Sequence, residues 1–321
     1  MLNPRFVAWT SLVSAMVLGT GVVCGQDYPN RPIRIFTSEV AGGADAMARL
    51  FGEGIAGALG QQVIVENRPS GVIPVETVSK AKPDGYTVLV YGSTVWLLPL
   101  MRSNVPYDPV RDLAAISLAT SAPNILVVHP SMPINSVKEL IALAKAKPGE
   151  LNYSSAGSGS AIHLAAELFK SMAGVNIVRV PYKGTAPAIN DLIAGFVQLS
   201  FPNVGIAAPH VKSGRMRALA VTSAKPSSLF PGLPTIAASG LPGYVSGAPT
   251  GVYAPAKTPE AIINRLNQEI VRVINNPKTK ERLFKGGTEA IGSSPGEFAD
   301  FMKSEMARMG KVIRDAGIRE E

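Results

Sequence analysis

Four short loops hold most of the residues in this sequence that are placed for chemistry. They are Gly42-Gly43-Ala44-Asp45, Gly92-Ser93-Thr94, Ser154 to Ser160 and Pro181-Tyr182-Lys183-Gly184-Thr185. Each is small, polar and glycine-bearing, and each lies between a β-prone apolar run and a helical apolar pattern. That spacing puts them at the carboxyl ends of strands, where open α/β sheets bind ligands. The first turn of a helix leaves N–H groups unpaired and carries a partial positive charge, so it favours an anion. Several such turns facing one cleft make a carboxylate or phosphate receptor without any charged side chain. At Gly43 and Gly157 the missing Cβ admits the close approach of a ligand or a bound water, and also a positive φ.

Catalytic signatures are missing. The chain contains no G-x-x-x-x-G-K-[ST], H-E-x-x-H or C-x-x-C. Gly52, Gly54 and Gly57 spell G-x-G-x-x-G but lie inside a helical pattern with no strand leading into them, which points to helix packing. One cysteine and three dispersed histidines, His129, His163 and His210, leave no material for a metal centre. The reading therefore expects no catalytic residue, cofactor or metal. The rival enzyme reading is a hydrolase built from Ser160, His163 and a carboxylate.

The elements that must position these loops alternate along the chain. Strand-like runs at Ile33 to Phe36, Val63 to Val65 and Tyr86 to Tyr91 flank a helix over Asp45 to Leu59, which predicts a parallel sheet covered by helices. The middle repeats the alternation, with strands at Ile125 to Val128, Leu151 to Tyr153, Ile177 to Val180 and Arg217 to Val221. Helices span Ser136 to Lys147, Ser160 to Met172 and Ala186 to Ala194, and Ser136 with Glu139 forms a capping box. The tail is helical from Thr258 to about Asn275, at Lys278 to Phe284 and at Pro295 to Ala316. With no strands of its own it must cover a sheet made earlier, so the chain is expected to leave its first domain near Asn124 and return near Gly247.

The 321 residues suffice for about two domains. Arg5 is the single charge in the first 26 residues, and an apolar run from Phe6 to Val23 follows it. With small residues ahead of Gln26, this reads as a secretory signal peptide over 1–25. A lipoprotein reading of Cys24 meets Val23 where a small residue is expected. Cleavage after Gly25 leaves a chain of net charge +7 without cysteine. Its basic residues are scattered and not interleaved with aromatics, which argues against nucleic acid.

An ordered series of motifs then resembles the Bug/TctC family, the extracytoplasmic receptors of tripartite tricarboxylate transporters. It includes Tyr28-Pro29-Asn30-Arg31-Pro32, Ala41 to Asp45, Gly60-Gln61-Gln62-Val63, Glu66-Asn67-Arg68-Pro69 and Lys82-Pro83-Asp84-Gly85-Tyr86. It continues through Pro106-Tyr107-Asp108-Pro109, Asn152 to Gly157, His163 to Glu167, Val180 to Gly184, Arg217 to Thr222, Leu241-Pro242-Gly243-Tyr244 and Ala254 to Pro259.

The resemblance implies a two-lobed α/β periplasmic binding protein of Venus-flytrap type, each lobe a sheet flanked by helices, with the ligand in the cleft between them. The lobes are expected at 26–124 plus 248–321 and at 125–247. It also implies a monomeric receptor that delivers a small carboxylated solute to a permease of one large and one small membrane subunit. In such receptors the loops equivalent to Ser38–Asp45 and Ser154–Ser160 hold one carboxylate through backbone amides and waters.

The ligand-binding candidates are therefore Ser38, Glu39, Val40, Gly42, Gly43, Ala44 and Asp45, then Ser93 and Thr94. Ser155, Gly157 and Ser160 follow, with Lys183, Gly184, Thr185 and Asn203, and His163 in support. Thr37-Ser38-Glu39-Val40 departs from the family's Pro-aromatic pattern. Glu39 then either faces solvent or reads a cationic group on an amphoteric ligand. A sensory receptor presenting its bound state to a membrane kinase is the alternative within the same fold.

Overall fold

The computed structural model describes residues 28–38, 40, 43–68 and 70–320. The expected signal segment over 1–25, and Glu39 and Gly42 of the candidate loop, lie outside them.

A six-stranded sheet forms first. β1 (Ile33–Thr37) pairs in parallel with β2 (Val63–Asn67) and with β3 (Thr87–Gly92). α1 (Gly43–Leu59) and α2 (Ile73–Ser79) connect them, and α3 (Thr94–Met101) leaves β3 directly. The other half of the sheet is antiparallel. β4 (Leu113–Pro123), β10 (Gly247–Pro255) and the two-residue β11 (Glu289–Ala290) complete the order β11-β4-β10-β3-β1-β2. The sheet is thus mixed where the alternating pattern predicts a parallel one. The missed strands have weak signals. β4 is rich in alanine and serine, and β10 carries two prolines and two glycines with irregular register at Thr250/Gly251 and Val252/Tyr253.

The second sheet runs β7-β6-β8-β5-β9. β5 (Ile125–Val128) is antiparallel to β8 (Leu199–Ser200) and to β9 (Arg217–Val221), while β6 (Asn152–Ser155) is parallel to β7 (Val178–Pro181) and β8. α4 (Val137–Ala146), α5 (Ala161–Ala173), α6 (Thr185–Ile193) and α7 (Val204–Lys212) flank it. At α4 the expected capping box is split. Ser136 accepts from the Glu139 N–H, but the Glu139 carboxylate takes the N–H of Asn135.

The chain passes between the sheets at Asn124 and again through 222–246. Thr222 stitches these crossings together: its hydroxyl accepts the Asn124 N–H at 2.8 Å and lies 2.8 Å from the Ser246 carbonyl. The tail supplies α8 (Glu260–Asn275), α9 (Pro277–Lys285) and α10 (Pro295–Asp315). α8 lies on α1 and β4, and Gly54 makes room for it: a Cβ there would sit 2.5 Å from a Val273 methyl. Gly52 and Gly54 of the G-x-G-x-x-G pattern are accordingly packing positions, while a Cβ at Gly57 would meet nothing within 4 Å. α10 packs on β4 and α3 and reaches α5, so one apolar core runs under both sheets.

Candidate ligand-binding cleft

β1 ends at Thr37, which pairs in register with Asn67 at the end of β2. That register sets the Asn67 side chain beneath the loop leading into α1. Its Nδ2 donates to the Ser38 carbonyl at 3.0 Å and to Asp45 Oδ1 at 2.8 Å. Asp45 sits in the first turn of α1, where a carboxylate complements the helix dipole, and it is 3% exposed. Arg49, one turn on, pairs with it at 3.1 Å and donates to Asn67 Oδ1 at 3.0 Å.

The loop leading into α5 is held differently. Arg179, on β7, donates to Ser155 Oγ at 2.8 Å, to the Ala156 carbonyl at 3.0 Å and to Ser158 Oγ at 3.2 Å. Ser160 caps α5 by accepting the His163 N–H. The His163 ring, 4% exposed, accepts the Gly159 N–H at Nδ1 over 3.1 Å. Burial, with the Arg179 cation second, lowers the His163 pKa from 6.5 to about 4, so the ring is neutral at physiological pH. The positive φ of this loop falls at Gly159 (+73°), where a Cβ would also lie 2.8 Å from the Met101 thioether. Gly43 and Gly157 are not among the positive-φ residues, and their Cβ positions open onto free space.

Between the two sheets lies a cleft with two communicating arms of about 790 and 390 Å³, sharing Gly43, Ala44, Gly92, Thr94, Gly159 and Ser160. The first turns of α1, α3 and α5 meet there, joined in the larger arm by Asn203, the N-cap of α7. Among the described residues, the hydroxyls of Ser93, Thr94, Thr120 and Thr250 line the larger arm without a hydrogen bond to protein. Met47, Leu50, Ile206 and Leu283 supply apolar wall, and Arg282 completes it. Ser38, Tyr91, Met101, Gly157, Ser158 and Glu320 line the smaller arm.

The model of the tripartite tricarboxylate transporter family receptor, TctC, matches residues 47–318. The chain belongs to this family. BugT of Bordetella pertussis is 35% identical over 303 residues, covering 92% of this chain and 93% of that one. Among solved structures, Rpa4515 of R. palustris with adipate superposes with a TM-score of 0.75 at 35% identity, over 91% of this chain and 99% of that one. MatC of Rhodopseudomonas palustris with bound malate gives 0.70 at 28% identity, over 89% and 100%. TctC proteins are periplasmic solute-binding receptors, not enzymes, and the fold is the two-lobed α/β fold of periplasmic binding proteins. Among the described residues no helix is long and apolar enough to cross a membrane, and no cluster of His, Cys, Asp or Glu is placed to hold a metal.

In this TctC receptor the cleft gathers Ser38, Gly43, Ala44, Ser93, Thr94, Gly157, Ser160 and Asn203 of the candidate set. His163 stands behind the loop through Gly159. The structure places the other described candidates outside the lining. Asp45 and Ser155 are buried as anchors of their loops, and Val40 is 67% exposed. Lys183, Gly184 and Thr185 follow β7, an edge strand, and are not among the residues lining either arm. The hydrolase arrangement does not form: Ser160 is engaged with the His163 backbone N–H, and the ring nitrogen facing the loop is taken by Gly159. Sequence reasoning missed the linings from β4, β10, α9 and the turn after it, namely Thr120, Ala122, Ala248 to Thr250, Arg282, Leu283, Gly286 and Thr288. Antiparallel pairing brings β4 and β10 into the sheet centre, and no local motif marks that.

Proposed function

We propose that this TctC receptor captures a small carboxylate-bearing solute in the cleft and delivers it to a membrane permease of one large and one small subunit. The observation that carries this is the convergence of helix first turns from both sheets on one cleft, with unpaired hydroxyls beside them. Their N–H groups and dipoles favour an anion. The adipate and malate held by Rpa4515 and MatC support the same ligand class. The ligand-binding set is Ser38, Gly43, Ala44, Ser93, Thr94, Gly157, Ser160 and Asn203. We assign one lobe to 26–124 with 248–321 and the other to 125–247, the crossings at Thr222 serving as hinge. The mature receptor is a periplasmic monomer released after a signal segment at 1–25.

A thermal-shift panel of aliphatic carboxylates against the matching neutral amides tests the ligand class. A carboxylate at 100 times its Kd stabilises the fold by about 2.7 kcal/mol. Amides that stabilise as well as acids overturn the reading. Capture of a two-subunit permease by the loaded receptor, and not by the empty one, tests the delivery step.

A further inference from the structure

We propose that Glu320 is an internal stand-in for the solute: in the empty receptor its carboxylate occupies the anion-favouring side of the smaller arm, and an incoming carboxylate has to displace it. This rests on the carboxylate reading above and adds a way in which the empty site is held in check. The chain is turned into the cleft just after α10. Gly317 takes φ +62° and its N–H closes on the Arg314 carbonyl at 3.1 Å, which ends the helix and reverses the chain. Ile318 is then 4% exposed, with its N–H on the Ile313 carbonyl at 2.9 Å. The Glu320 N–H donates to the carbonyl of Met101, the last residue of α3, over 3.3 Å.

That seat brings the carboxylate itself to the loop that enters α5. Glu320 Oε2 lies 3.9 Å from where a Cβ would stand at Gly159, and the Met101 thioether lies 2.8 Å from the same point. Glu320 is the one charged residue among the described residues lining the smaller arm, and no cation among them pairs with it. Its charge is felt at Tyr107, whose phenol is pushed up by burial first and then by Tyr91 and Glu320. An unpaired carboxylate in a cleft gains nothing by itself. Here the first turn of α5 and the Arg179 guanidinium bound to its loop both favour an anion, and Glu320 is the anion that the chain supplies. A solute carboxylate drawn to the same turn meets a like charge within a few ångströms, and the two repel until Glu320 leaves. Leaving breaks little. Beyond Ile318 the described segment is held to the rest of the protein by one long backbone hydrogen bond, and Arg319 is exposed.

Isothermal titration of the mature receptor with hexanoate, adipate and malate, each beside its neutral amide, tests this in the wild type, in Glu320→Gln and in a chain ended after Ile318. Each acid that binds should bind both variants at least about tenfold more tightly than the wild type, while the amides change less than about twofold. Ile318 is kept in both variants, so the empty proteins should melt alike. Hydrogen exchange at the Glu320 amide, which donates to Met101 in the empty receptor, should quicken when the best-bound acid is added. Equal acid affinities in the three proteins overturn the proposal and leave the carboxylate reading intact. So does weaker acid binding by Glu320→Gln, which would make Glu320 part of the solute's own site. Amides that gain as much as acids would mean that Glu320 acts by bulk and not by charge, and exchange that slows or stays unchanged would mean that it is not displaced; either result also overturns it. If no acid binds any of the three proteins, the carboxylate reading falls and this proposal with it.

Discussion

The loop into α1 is anchored from beneath by a carboxylate, and the loop into α5 by a guanidinium. Asp45 ties the first to Asn67 and is neutralised by Arg49, so that side of the cleft gains no net charge from its anchor. Arg179 ties the second to two hydroxyls and a carbonyl, all uncharged, and His163 beside it is neutral. The second loop therefore keeps an uncompensated cation behind its backbone. Both loops present small residues to the cleft, and only the second has an unneutralised side-chain cation behind it. The difference teaches that holding a loop and charging a site are separable tasks.

The comparison is broken most directly by filling each loop. At Gly43 and Gly157, which line the cleft, an added Cβ meets nothing within 4 Å, so Gly43→Val and Gly157→Val should both fold. Charge-assisted hydrogen bonds are worth about 1.5–3 kcal/mol each, so occluding two of them should weaken carboxylate binding at least about 100-fold in each variant. If one variant binds normally by titration calorimetry, that loop does not hold the ligand.

Removing the anchors separates charge from shape. Arg179→Met deletes three hydrogen bonds and the cation, and should lower carboxylate affinity about tenfold or more and flatten its dependence on salt. Asp45→Asn keeps the shape and unpairs Arg49. It should cost about 1–3 kcal/mol of stability in urea unfolding, with no loss of affinity. Equal affinity losses in the two variants would mean that the anchors act through shape alone.

His163 adds a pH signature to the second loop only. Its folded pKa is depressed from 6.5 to about 4. The unfolded chain therefore takes up the proton first as pH falls. The stability it contributes is fully present above pH 6.5 and is lost progressively down to about pH 4. That difference corresponds to roughly 3–4 kcal/mol at 1.36 kcal/mol per pKa unit. Urea midpoints at pH 7.5 and 4.5 should fall further for the wild type than for His163→Gln. A fall of the same size in both would show that the ring does not titrate as argued. The smallest effect is expected at Lys183, which lies outside the lining. Lys183→Ala should change affinity less than about twofold, and a tenfold loss would bring the β7–α6 loop into the site.

How much of this was legible in the sequence differs between the two loops and the walls between them. Apolar periodicity placed β1, β2, β3, β5, β6, β7 and β9 and all but one of the long helices, because those segments bury one face or one stripe and their residue types repeat at that period. Small-residue loops at strand ends marked Gly43, Thr94, Gly157 and Ser160 for the same local reason. Whether Asp45 would face the ligand or turn inward to Asn67 was not local. It depends on β2 lying beside β1 in register, which joins residues 22 apart. β4 and β10 escaped notice because alanine, serine, glycine and proline carry little strand signal, and only pairing with each other and with β3 makes them strands. Arg282 reads in sequence as one more cation near a helix end. Tertiary structure alone decides that it lines the cleft, because the other lining residues come from elements far along the chain.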